Sequence, residues 1–324
     1  MYHFCTYFDS NYLLRGMTLY RSLEQHCREP FRFYVLCLDL QTFDVLARLD
    51  NENIIPIALT DVEQWDAELL VAKGNRSLIE YYFTLSPVLP LYVLDHFDVD
   101  IITYLDADLM FFSSPQSIYD ELGERSIFIT EHRFSEKLKD SEKFGKYNVQ
   151  CQAFRNDEQG RECLNRWRMQ CLEYCYDRLE DGKFADQKYL DEWPALYDHL
   201  TVGENLGIGC APWNVDNDIG LSIKEGELHT YSGPVVFYHF HGFKNLSYSI
   251  FAKSLYPYHV RATQEINYLY RQYAYALRAT DRFLQDQCAG MGANQSAISI
   301  QRFGFGKWRI FLASLRRGDI LFVS

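Results

Sequence analysis

The apolar positions change period along the chain. Residues 2–7 read as a strand, and Leu13, Met17, Tyr20 and Leu23 then recur at three- and four-residue spacing, as on one helix face. Residues 31–38 and 54–59 read as a second and a third strand. Over residues 75–97, Tyr81, Tyr82, Leu85, Val88 and Leu91 keep a helical period interrupted by Pro87 and Pro90, which predicts a broken helix pair. Further strands are predicted over 99–105, 126–130 and 234–240, and helices over 159–179 and 251–285. Residues 204–220 are rich in Gly and Asn and read as loop, and residues 289–300 read as a flexible linker. Residues 132–150 are polar and irregular, with Lys137, Lys139, Lys143 and Lys146 among acids; a mobile lid and an exposed loop fit equally. No internal repeat is visible. Strands alternating with helices predict βαβ units and an α/β fold with a mainly parallel sheet.

One strand departs from this background. Residues 101–112, Ile-Ile-Thr-Tyr-Leu-Asp-Ala-Asp-Leu-Met-Phe-Phe, place Asp106 and Asp108 in an otherwise apolar run, just past the strand's C-terminal end, where open α/β sheets bind ligands. Two buried carboxylates need a compensating cation or donor. A hard divalent metal, carrying a phosphate as its second ligand, meets that need. Two further Asp-x-Asp copies read differently: Asp98 and Asp100 precede the strand and belong to a solvated turn, and Asp216 and Asp218 lie in the Asn- and Gly-rich loop.

His239 and His241 alternate along a strand, so their side chains share a face, and imidazole suits Mn2+ better than Mg2+. Either one completes the metal site, or one packs in the core while the other caps a loop. Asp9, Ser10 and Asn11 follow the first strand, with Ser10 placed as a helix N-cap. Asp186 and Gln187 fit an ordinary helix start or a contact near a reacting sugar. Lys73 and Arg76 precede the helix leading to the key strand, where they either reach a diphosphate or remain solvated surface charge.

These pieces, taken in order, resemble glycosyltransferase family 8 and its relatives, nucleotide-sugar-dependent enzymes with the GT-A fold. Tyr104-Leu105-Asp106-Ala107-Asp108 resembles the family's Leu-Asp-x-Asp motif, and Thr6 to Tyr12 looks like its first strand-to-helix turn. Phe184-Ala185-Asp186-Gln187 is similar to its Asp-Gln motif, and Tyr238 to Lys244 to its C-terminal His-x-x-Gly motif with a nearby Lys. The resemblance spans roughly residues 1–250. It implies a GT-A-like (Rossmann-like) domain over 1–250, followed by a helical extension over 251–288 and a linker and basic tail over 289–324. It further implies Mn2+ or Mg2+ on Asp106, Asp108 and His239, or His241 in the latter's place. The donor, UDP-hexose in preference to a guanine nucleotide sugar, would lie against Thr6, Tyr7, Asp9, Asn11, Ala107, Asn148, Gln150, His241, Gly242 and Lys244, with Arg76 added as a cation candidate from its position alone. Asp186 and Gln187 would face the transferred sugar or the acceptor. Family 8 implies retention; an inverting reaction would need a base, which Asp186 could supply. Two departures stand out: Lys244 is nearer to Gly242 than in the family pattern, and Asn245-Leu246 replaces its Pro-Trp.

The remaining features bound the function. The net charge of −12 argues against nucleic acid as the main partner. Without a leader-like N-terminus or an apolar run of about 18 residues, a cytoplasmic protein is expected. Nine dispersed cysteines without C-x-x-C read as reduced thiols, Cys163, Cys171 and Cys175 as small core residues. Residues 301–324 set Arg302, Lys307, Arg309, Arg316 and Arg317 against Asp319 alone, with Trp308, Phe311, Leu312 and Leu315 at helical spacing. This fits docking on an anionic membrane or packing on the body. Glycan, lipid-linked glycan and protein acceptors are all open. A phosphatase or phosphotransferase using Asp106 as nucleophile, and a non-catalytic nucleotide-sugar-binding subunit, are the competing readings.

Overall fold

A computed structural model of the chain describes residues 1–217, 219–287 and 307–323. Asp218, the linker expected over 289–300 and Arg302 lie outside the described residues. The N-terminal half alternates strand and helix: β1 (Tyr2–Phe8), α1 (Leu13–His26), β2 (Phe31–Cys37), α2 (Leu40–Arg48), β3 (Ile54–Ala58), α3 (Leu59–Trp65), α4 (Glu68–Asn75), α5 (Leu78–His96) and β4 (Ile101–Leu105). These strands run parallel, with Thr6 opposite Val35 and Phe4 opposite Thr103. The chain continues through β5 (Leu109–Phe111), α6 (Gln116–Leu122), β6 (Ile127–Glu131), a 3-10 segment (Glu136–Phe144), β7 (Tyr147–Arg155), α7 (Glu158–Glu173), α8 (Trp193–Leu196) and β8 (Leu200–Val202). Seven strands form one sheet in the order β3-β2-β1-β4-β7-β6-β8, in which β7 runs against both of its neighbours. The mixed, mainly parallel sheet expected from the alternation is therefore present. Phe4, Phe8 and Met17 are buried on one face, and Cys5, Tyr34, Leu85 and Trp167 on the other. Cys163, Cys171 and Cys175 are free and fully buried, as core thiols would be.

Three local expectations are corrected. Residues 78–96 form one continuous helix despite Pro87 and Pro90. A capping box of Ser77 and Glu80 starts it, and Tyr81, Leu85, Val88 and Leu89 are fully buried against the sheet and α7. That packing outweighs the roughly 3 kcal/mol that an internal proline costs a helix. Ser10 does not cap α1, which starts at Leu13 after Tyr12. The turn is instead held by Asp9, which accepts from the amides of Asn11 (3.0 Å) and Tyr12 (3.2 Å), while Ser10 N–H donates to Asp39 at 2.9 Å. Residues 132–150 are not a single irregular stretch: the 3-10 segment occupies the middle, Lys137 pairs with Asp216, and β7 begins at Tyr147.

The C-terminal part contains short strands β9 (Ser222–Lys224), β10 (Glu227–Thr230), β11 (Gly233–Pro234), β12 (Phe237–His239), β13 (Lys244–Ser247) and β14 (Ile250–Ala252), then α9 (Gln264–Gln287), α10 (Lys307–Arg316) and β15 (Ile320–Phe322). Helix α9 packs on α1 through a buried face that includes Leu269, Tyr270, Tyr273 and Leu277. The tail ends in a strand that its helical period did not predict, and β15 completes a β13-β14-β15 sheet. Asp319 fixes it there, its carboxylate accepting from Leu255 N–H at 2.8 Å and its carbonyl from Lys253 N–H at 2.9 Å. The boundary expected at residue 250 thus falls within a sheet. Among the described residues no helix is long and apolar enough to cross a membrane.

Candidate active site

Strand β4 delivers Asp106 to the C-terminal edge of the sheet, where its amide still donates to Gln150 O of β7 at 2.9 Å. A tight turn follows, Leu109 N–H donating to Asp106 O at 3.3 Å, and β5 then leaves the main sheet to pair with β12. The antiparallel register sets Leu109 opposite His239, and Phe240 N–H donates to Asp108 O at 3.0 Å. Backbone pairing therefore brings together two motifs that lie 130 residues apart in sequence.

His239 Nε2 lies 3.0 Å from Asp108 Oδ1 and 4.0 Å from Asp106 Oδ2. Its Nδ1 meets Gln150 Oε1 at 3.0 Å; with the amide in this orientation, Nδ1 carries the proton and Nε2 is directed at the carboxylates. Tyr104 O–H donates to Asp106 Oδ1 at 3.0 Å. One ligand atom from each of Asp108, His239 and His241 can be chosen so that all lie within 4.8 Å of one another. Trp213 packs edge-on against both imidazoles, with centroids 5.1 and 5.8 Å away. Gly242 adopts φ +73°, which a residue with a Cβ rarely takes, and this lets the chain turn away directly after His241.

The two carboxylates are not equivalent. Burial pushes the Asp106 carboxyl up to about 6; Asp108 adds to this, while His239 and Tyr104 oppose it. Burial acts on Asp108 in the same sense, but the charge and hydrogen bond of His239, aided by Arg15 and His241, hold it well below the usual carboxylate range. His239 is raised: burial opposes its charge, and Asp108 prevails. His241 is lowered by burial and by the charge of His239. In this arrangement a proton on His239 occupies the place that suits a cation. Asp108, His239 and His241, with His239 held by an outer amide and Asp106 4.0 Å from it, form a carboxylate–imidazole donor set able to hold a divalent metal.

A third carboxylate, Asp186, is buried near the group. Asp186 follows Ala185, which adopts φ +45°, and its backbone carbonyl accepts from Trp167 Nε1–H at 2.8 Å. Its Oδ2 accepts from Ser86 Oγ at 2.6 Å, and Ser86 in turn meets the Tyr7 hydroxyl at 3.2 Å. The rings of Tyr7 and Tyr104 are 5.8 Å apart, so the hydroxyl-bearing side chains of Ser86, Tyr7 and Tyr104 link Asp186 to Asp106. Burial raises the Asp186 carboxyl to about 7; Ser86 opposes this and the charge of Asp106 adds to it.

The other expected residues divide into two groups. Thr6, Tyr7, Ala107, Asn148, Gln150 and Gly242 belong to the segments that meet here, and the buried Thr6 hydroxyl has no hydrogen-bond partner among the described residues. Asp9 and Asn11 hydrogen-bond each other at 2.9 Å on the exposed rim. Gln187 donates to Phe144 O at 3.1 Å, so it ties the 3-10 segment to the Asp186 turn. Arg76 is engaged elsewhere: it donates to Thr84 Oγ1 and to the carbonyls of Cys171 and Leu172, which holds the start of α5 to the end of α7. Lys73 pairs with Glu63 at 2.7 Å. Lys244 is exposed on β13. Sequence reasoning missed Arg15, Tyr273 and Trp213. Arg15 was a basic residue in an otherwise apolar first turn, a signal that could have been used. Trp213 lay in a loop without periodicity, which gave no signal.

The chain is 31% identical over 246 residues to the uncharacterized protein YfnD of Bacillus subtilis (strain 168), spanning 75% of this chain and 78% of that one. It belongs to the YfnD family. A second B. subtilis (strain 168) protein, the uncharacterized YfnF, is 29% identical over 255 residues, 75% of this chain and 82% of its own. No protein-family model matches. Among solved structures, the galactosyltransferase LgtC in complex with donor and acceptor sugar analogs superposes with a TM-score of 0.51 at 19% identity, over 74% of this chain and 87% of that one. An active-site mutant of LgtC gives 0.51 at 17% identity over the same shares. This YfnD-family chain thus has the GT-A fold of glycosyltransferases, as its motifs implied.

Proposed function

We propose that this YfnD-family protein is a metal-dependent glycosyltransferase that moves a sugar from a nucleotide diphosphate, UDP in the first instance, to a glycan, lipid-linked or protein acceptor. One observation carries the reading: at the sheet edge of a GT-A fold, β5–β12 pairing sets Asp108 within ligand reach of His239 and His241, with Asp106 4.0 Å from His239. Asp106, Asp108, His239 and His241 would hold the ion, Mn2+ in preference to Mg2+. When bound, a divalent cation neutralises the charge that develops on a departing diphosphate.

The chain's own residues supply the remainder. Gln150 fixes the His239 tautomer, so that Nε2 is available at the ion. Asp186, with a carboxyl near 7 and a hydroxyl at one oxygen, holds or releases a proton close to working pH, which suits a group facing a sugar hydroxyl. Gln187 supports that turn from behind. Retention is the outcome the family 8 resemblance implies, and anomeric NMR of the product tests it.

The direct test incubates the full-length protein with UDP-hexoses and Mn2+ and without acceptor, then identifies the products. Slow release of UDP and free sugar, lost in EDTA, supports the proposal. Release of a sugar phosphate or of inorganic phosphate would favour the phosphotransferase reading. Tight binding of UDP-sugar with no turnover, even with acceptor mixtures, would favour a non-catalytic binding subunit.

A further inference from the structure

A metal held by two carboxylates does not by itself balance a diphosphate, and the cations expected to help are engaged elsewhere or exposed: Arg76 is bonded to the end of α7, Lys73 is paired with Glu63, and Lys244 lies out on β13. Another cation stands at the carboxylates. Arg15 lies in the first turn of α1, half-buried, with its guanidinium 4.3 Å over the Tyr12 ring. Its Nη2 donates to Phe243 O at 2.7 Å, two residues beyond His241. That bond ties the guanidinium to the turn carrying His241, and its charge acts on both Asp108 and His241. A second polar side chain packs on the same turn, 5.2 Å from the Phe243 ring. Tyr273 of α9 is fully buried, its ring stacked at 3.7 Å on Phe240, and its hydroxyl has no hydrogen-bond partner among the described residues. That hydroxyl interacts electrostatically with Arg15, Asp108 and Tyr12. A buried hydroxyl without a partner is costly, and a ligand oxygen would satisfy it.

We infer that Arg15, together with the Tyr273 hydroxyl, binds the diphosphate of the nucleotide donor, in place of Lys244, which the family resemblance set against the donor. The inference rests on the glycosyltransferase reading. A planar guanidinium stacked on Tyr12 and anchored at Phe243 O is held in place, and its remaining donors suit phosphate oxygens. Residues from α1, the His241 turn and α9 would then close on one phosphate group.

The test compares UDP with uridine, which lacks phosphate, by calorimetry on the full-length protein in Mn2+. Arg15→Ala is expected to weaken UDP by about ten- to a hundredfold, the range of a charge-assisted hydrogen bond, with uridine affinity unchanged. Arg15→Lys should recover part of the loss, and Tyr273→Phe should weaken UDP by a smaller factor. Equal UDP affinity in wild type and Arg15→Ala would overturn the inference. So would parallel loss of UDP and uridine in both Arg15 variants, the result expected of a residue that only pins the Phe243 turn. Lys244→Ala should leave UDP binding near wild type, and a loss there equal to that of Arg15→Ala would also contradict the assignment. Failure of the wild type to bind UDP at all would instead remove the glycosyltransferase reading, and this inference with it.

Discussion

Asp108 and Asp186 are the same residue type, both mostly buried beside the same sheet edge, yet the structure gives them opposite chemistry. Asp108 has an imidazole at 3.0 Å and a guanidinium nearby, and it stays charged well below the normal range. Asp186 has a serine hydroxyl at 2.6 Å and the repulsion of Asp106, and its carboxyl rises to about 7. Burial penalises both; the neighbours decide. A carboxylate kept charged by cations suits a metal, whereas one kept near neutrality suits proton exchange with a hydroxyl. Two carboxylates driven apart by their surroundings are a recurring mark of divided catalytic roles.

The largest effect should come from removing the charged member. Asp108→Ala is expected to reduce metal-dependent UDP release by about a hundredfold or more, beyond what loss of an outer-shell partner costs a metal site. Rates within a few fold of wild type would show that Asp108 is no ligand. The histidines come next. His239→Ala should lose most of the metal affinity, because His239 faces both carboxylates and is oriented by Gln150; His241→Ala should lose less. Equal, wild-type Mn2+ affinity in both variants would make the pair structural.

Asp186→Asn sharpens the contrast in stability. The native carboxyl lies above its unfolded value of about 3.9, so its contribution is fully present below about pH 4 and is lost as pH rises toward 7. In metal-free protein, Asp186→Asn should therefore gain stability over wild type across that window, by about 1–4 kcal/mol at pH 8, while kcat falls. Melting curves at pH 5 and 8 check the sign; a variant less stable than wild type at pH 8 would indicate an Asp186 that is charged in the fold. The smallest effect is expected from Ser86→Ala. Losing that donor should move the Asp186 limb of the pH–rate profile upward, and an unmoved limb would separate Asp186 from the rate.

Much of this was legible in the sequence, for identifiable reasons. Asp106 and Asp108 stood out because charge within an apolar strand is a local contradiction. Their meeting with His239 was suggested by motif order, and the β5–β12 register supplies it. Other features had no local signal. The continuity of α5 through Pro87 and Pro90 depends on burial against α7, which outweighs the local propensity. Strand β15, just past the helical period of 308–315, gave no local signal, since its partner β14 lies about 70 residues earlier. Arg76 looked available for phosphate because the carbonyls of Cys171 and Leu172 come close only in the fold.

The central claim is that the Asp106–Asp108–His239 corner is a metal site serving a nucleotide diphosphate. Calorimetric titration of UDP into the wild-type protein, once in Mn2+ and once in EDTA, tests it most directly. The account predicts one UDP site whose affinity falls at least tenfold in EDTA, with Mn2+ affinity raised by the same factor when UDP is present, as linkage requires. UDP binding of equal strength in Mn2+ and EDTA would contradict it.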